Sequence, residues 1–114
     1  MNFPKPGLPV RGSKSGAPIM ALFDLLGRRW AMGIVWNLQA GDCTFRELQE
    51  RCEGLSPTLL NTRLKELRAA LLVDRSADGY CLTSQGKALY DMLEPMGLWA
   101  KTWAKDINKL KAGD

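Results

Sequence analysis

The sequence predicts a mainly α domain carrying one small β-hairpin, and three observations support that class. Two helix starts are written in side chains, at Thr44-Phe45-Arg46-Glu47 and at Ser56-Pro57. Leucines recur at helical spacing through residues 60–71, which makes one stripe of that segment apolar. An Asp78-Gly79 pair, a favoured tight-turn dipeptide, separates two short runs at 73–75 and 80–82.

The elements follow in order. Residues 1–16 hold Lys5, Arg11 and Lys14, three prolines and no acid. That composition is expected to leave a flexible basic arm ahead of one folded domain over 17–114. Residues 18–26, PIMALFDLL, are helical in pattern, with Gly27 as a stop. RRWAMGIVWNLQAG supplies a second helix ending at Gly41, apolar through Trp30, Ile34, Val35 and Leu38. A third starts at TFRELQERC, where Thr44 and Glu47 form a T-x-x-E capping box that satisfies two backbone donors. Gly54 allows a left-handed turn in EGLSP, and Ser56 caps the fourth helix. Pro57 suits a first position that needs no amide hydrogen.

On the fourth helix, residues 57–70, Leu60, Leu64, Leu67 and Leu71 share one face, with Thr58, Asn61, Thr62, Lys65 and Ala69 opposite. Glu66 lies on the flank, suited to a neighbouring Arg or Lys. Beyond the hairpin, Thr83 caps a helix through SQGKALYDMLE, and Pro95 is expected to break or kink it. A last amphipathic segment sets Met96, Trp99, Trp103, Ile107 and Leu110 at steps of three and four. Two tryptophans on a terminal helix of a small domain need a cover, either the core or a second copy. The order is that of a winged helix-turn-helix, with the hairpin as wing.

Composition excludes several functions. At 114 residues the chain is one domain, and no apolar run approaches the ~20 residues of a membrane span. The start lacks the apolar core of a secretory signal, so the expected location is the cytoplasm. There is no histidine, and Cys43, Cys52 and Cys81 have no C-x-x-C spacing, which removes common zinc sites and histidine triads. With no carboxylate pair, nucleophile-base set or phosphate-cradling glycine loop, neither an enzyme nor a cofactor is expected. The cysteines read as small buried hydrophobes, since no basic or helix-start setting marks one as a sensor.

The net charge of +4 suits a nucleic-acid partner. The fourth helix is more specific: its Thr, Asn and Lys face carries hydrogen-bonding groups and no acid, and fits a major groove about 12 Å wide. A protein-interaction module that has lost DNA binding is the competing reading. Acidic or bulky apolar residues would mark it, and that face has neither.

Three segments, ALFDLLGRRW, FRELQERCEGLSPTLLNTRLKELRAALLV and YCLTSQGKAL, resemble the HxlR-type regulators, small dimeric bacterial transcription factors related to the MarR type. The resemblance covers about residues 17–110. It implies a sequence-specific regulator of double-stranded DNA, with repression as the expected outcome. Thr58, Asn61, Thr62 and Lys65 would face bases, and Arg63 the DNA backbone or a neighbouring helix. Thr44 and Ser56 would meet phosphates, and Arg75, the one cation of the hairpin, a minor groove. It also implies a homodimer paired through Met20 and Phe23 of the first helix and Met96, Trp99, Trp103, Ile107 and Leu110 at the carboxyl end, reading a palindrome. A small-molecule effector would sit in a cleft lined by Trp30, Trp36, Phe23, Met92 or Trp99, although core and interface packing accounts for the same aromatics. Two departures stand out. Ala17-Pro18 replaces the cysteine that many members carry before the first helix, and S-A-D-G makes a short wing.

Overall fold

A computed structural model describes residues 3–113, with side chains through Leu110. The described elements are α1 (Pro18–Leu26), α2 (Ala31–Leu38), α3 (Phe45–Arg51), α4 (Pro57–Ala69), β1 (Val73–Ser76), β2 (Gly79–Leu82) and α5 (Ser84–Gly113). Five helices and one antiparallel hairpin make the winged helix-turn-helix. The core is formed where α1 to α4 meet the hairpin and the first turns of α5. Ile34, Val35, Leu38, Leu48, Cys52, Leu60, Leu64 and Leu67 are fully enclosed there.

The helix starts use the side chains expected of them. Thr44 Oγ1 accepts from the Glu47 amide at 3.1 Å, and the Glu47 carboxylate accepts from the Thr44 amide at 2.8 Å. Ser56 Oγ accepts from the Leu59 amide at 3.2 Å, with Pro57 at the first helical position. Thr83 Oγ1 accepts from the Gly86 amide at 3.0 Å and donates to the Leu71 carbonyl at 2.6 Å, so one hydroxyl caps α5 and ties it to the corner after α4. In the YCLTSQGKAL segment the glycine is required at Gly86, where a Cβ would lie 2.0 Å from the Leu72 carbonyl oxygen.

Four expectations are corrected. The second helix ends at Leu38 and excludes Trp30, whose φ of 68° is left-handed and stops the helix from extending backwards. Leu71 leaves the leucine stripe: α4 closes in a Schellman motif, with the Leu72 amide on the Leu67 carbonyl and the Leu71 amide on the Arg68 carbonyl. Leu71 takes the left-handed position at φ 65° and is 68% exposed. The hairpin pairs Ser76 with Gly79, so its two loop residues are Ala77 and Asp78. Pro95 does not divide the carboxyl end, because α5 runs through it as one helix of 30 residues. The proline lacks the amide hydrogen that would have bonded the Asp91 carbonyl, and both residues are exposed.

The amino-terminal segment, expected as an arm, is described from Phe3 to Gly16 as a turn-rich strap; residues 1 and 2 lie outside the described residues. Val10 and Ser13 exchange backbone hydrogen bonds, and the Gly7 amide reaches the Gly16 carbonyl at 2.9 Å. Phe3 packs on the core beside buried Pro4, and the Arg11 amide donates to Asp24 Oδ2 at 3.2 Å.

Candidate nucleic-acid interface

The capped start of α4 leaves a continuous outward face. Thr58, Asn61, Thr62 and Lys65 are all exposed, at the i, i+3, i+4, i+7 positions of one helix side. Thr62 Oγ1 donates to the Thr58 carbonyl at 3.0 Å, which fixes that hydroxyl and leaves its lone pairs outward. Leu60, Leu64 and Leu67 bury the opposite side.

The wing stands beside this face because its turn end is stitched to the loop before α3. The amide of Cys43 donates to the Tyr80 carbonyl at 3.0 Å, and the Tyr80 amide to the Cys43 carbonyl at 2.7 Å. Ser76 Oγ donates to Asp42 Oδ2 at 3.1 Å. Gly79 makes the approach possible: its φ is +124°, and a Cβ would come within 2.2 Å of the Cys43 carbonyl oxygen. Arg75 pairs with Tyr80 across the hairpin, its guanidinium 5.6 Å from the ring centre, so the cation is propped at the surface on an aromatic plate.

Thr44, Asn61 and Arg75 thereby line one open groove of about 680 Å³, together with Phe45, Gly79 and Tyr80. Thr58, Thr62 and Lys65 continue the same side of α4. Two expected residues stand apart. Ser56 opens on a different cleft, with Arg29, Trp30 and Leu59. Arg63 turns inward, its Nε donating to the Arg29 carbonyl and its Nη1 to Glu66 Oε1, both at 2.8 Å. The sequence reading missed Phe45 and Tyr80 as groove walls, although the Arg75 and Tyr80 register is the signal that would have found Tyr80.

A second surface is apolar. Phe23 on α1 and Met96, Trp99, Trp103, Ile107 and Leu110 on α5 are exposed, and Met20 is half-buried. Trp99 and Trp103 stack with ring centres 5.9 Å apart. The residues expected around an effector include both packed and outward-facing ones. Trp30 lies over Gly33, Trp36 packs on Tyr90 and Gly97, and Phe23, Met92 and Trp99 face outward. Cys43 and Cys52 are buried and Cys81 half-buried. Burial raises all three thiols, Cys52 to about 11, which keeps them protonated at neutral pH.

The HxlR-like helix-turn-helix family model matches residues 25–108. The chain belongs to the HxlR-like helix-turn-helix family. Among HxlR-like relatives, the HTH-type transcriptional regulator YvaP of Bacillus subtilis is 36% identical over 87 residues, which span 70% of this chain and 81% of YvaP. The crystal structure of quinone-bound YodB from B. subtilis matches with a TM-score of 0.68 at 36% identity, covering 74% of this chain and 96% of that one. A possible HxlR family transcriptional factor from Thermoplasma volcanium matches at 0.69 and 27% identity, covering 77% and 85%. This HxlR-like chain is a transcriptional regulator with a helix-turn-helix DNA-binding domain. No helix among the described residues is long and apolar enough to cross a membrane.

Proposed function

We propose that the protein acts as a homodimer that lays α4 of each copy in a major groove of a palindromic operator and represses by occupying it. The observation that carries this reading is the non-acidic face of Thr58, Asn61, Thr62 and Lys65, flanked by Arg75 across the groove. Asn61 offers donor and acceptor to an adenine edge, and Lys65 and Arg75 supply charge to phosphates. Exposed Thr44 lies at the rim, where a helix start meets a backbone. Two copies joined through the α1 and α5 apolar surfaces would present their α4 helices about a helical turn of DNA apart, or a multiple of it. The site of action is then the cytoplasm.

The test is selection of binding sites from random duplex DNA by the purified protein, followed by affinity at two salt concentrations. A twofold-symmetric consensus whose affinity falls steeply with salt is the expected result. No enrichment even at low salt refutes the reading and favours a protein-interaction module.

A further inference from the structure

Two kinds of contact hold α4, and they constrain different things. Leu60, Leu64 and Leu67 seat the helix on the core. Apolar burial is non-directional, so it fixes how deep the helix sits more firmly than how it is rolled about its axis. The directional contacts lie on the turn from Arg63 to Glu66. Glu66 is 5% exposed, and its two carboxylate oxygens accept from different arginines: Oε1 from Arg63 Nη1 at 2.8 Å, and Oε2 from Arg28 Nη1 in a short ion pair. Arg63 Nε adds a bond to the Arg29 carbonyl at 2.8 Å. Arg28 and Arg29 form the corner between α1 and α2, which closes on the left-handed Trp30. One turn of α4 is therefore locked to that corner on one side and presents Asn61, Thr62 and Lys65 on the other.

We infer that the Arg28–Glu66–Arg63 clamp sets the roll of α4, making Glu66 and Arg28 positioning residues for sequence discrimination although neither faces the groove. This rests on the reading of α4 as the helix that meets bases. At a helix radius of about 5–6 Å, a roll of about 15° moves a side-chain tip by roughly 1.5 Å. A bidentate base contact has a donor–acceptor window of only about half an ångström, so such a roll breaks it. Contacts to phosphate from flexible Lys65 or from Arg75 on the wing tolerate the same roll. Loss of the clamp should thus reduce specificity and leave non-specific binding intact.

The experiment compares wild type, Glu66→Gln, Arg28→Gln and the double variant on two probes, the duplex selected by wild type and a random-sequence duplex, with circular dichroism of each protein. Glu66→Gln is expected to lose roughly tenfold on the selected duplex, with unchanged affinity and salt slope on random DNA. Arg28→Gln keeps the Arg63–Glu66 pair and should show the same selective loss at about threefold, which preserves the test if Glu66→Gln folds poorly. The double variant should be no worse than Glu66→Gln, because the two residues act as one unit. Full discrimination by folded Glu66→Gln and Arg28→Gln overturns the inference. So does a parallel loss on both probes that tracks loss of helix, since that is a purely structural role. If wild type itself selects no consensus, the groove reading fails and the clamp's role falls with it, a result distinct from a wild-type consensus that the variants read equally well.

Discussion

Asn61 and Lys65 lie one turn apart on the same exposed side of α4, yet their chemistry separates them. Asn61→Ala should cost about 1–3 kcal/mol on the selected duplex and little on random DNA, as expected of a base contact. Lys65→Ala should weaken both duplexes alike and lower the salt slope by about one. Neither side chain touches the leucine stripe, so both variants should melt like wild type; wild-type binding by both would remove this face from the interface. The face was legible in the sequence because exposure on a helix follows its period. The fate of Arg63 was legible in part, since Glu66 lies three residues on along the same helix, whereas the Arg29 carbonyl is met only after tertiary folding. The thiols give a second residue-scale expectation. Raised by burial, they should react with iodoacetamide far more slowly in the native protein than in urea, half-buried Cys81 first. Rapid native labelling of Cys43 or Cys52 would contradict the packing described.

The short α3 depends on its cap more than the longer helices do. Thr44→Ala should cost about 1 kcal/mol in urea unfolding, with the fold retained. The Thr44 amide and then its hydroxyl hold the Glu47 carboxyl below its usual range, which favours the charged form in the folded state. That contribution is complete above the ordinary glutamate value and is lost as pH falls through the lowered folded value. Wild type should therefore be more stable than Glu47→Gln at neutral pH, and the two should converge in acid; since glutamine can also complete the capping box, parallel curves would exclude a contribution from the Glu47 charge. Caps are local chemistry, and Thr44, Ser56 and Thr83 were all readable in advance. What failed was decided by geometry beyond a few residues. Pro95 sits where α5 faces water and can do without one hydrogen bond. The hairpin turn moved by one residue because Gly79 must face the Cys43 carbonyl. Apart from these corrections, the amino-terminal strap meets α1 where Asp24, far from it in sequence, accepts the Arg11 amide.

At the scale of the whole molecule the radius of gyration is 15.9 Å, against about 13 Å for a compact chain of this length. The excess comes from α5, whose Leu89 and Leu93 pack on the core while residues beyond Glu94 stand mostly exposed. Its aromatic stripe is the surface on which pairing would depend. Changing Trp99→Glu and Trp103→Glu together should give monomers by analytical ultracentrifugation and weaken binding to the selected duplex at least tenfold, because two linked half-sites become independent ones. An unchanged sedimentation coefficient would move the interface elsewhere. A helix of 30 residues is about 45 Å long, so α5 is also a lever. Trp99 lies near the middle of α5, about 22 Å from its first residue, so a tilt of about 10° where two such levers cross would shift those ends by about 4 Å, more than the ~3.4 Å rise of one base pair. The angle at which the stacked indoles meet their counterparts would then act as a ruler, counting the base pairs allowed between half-sites.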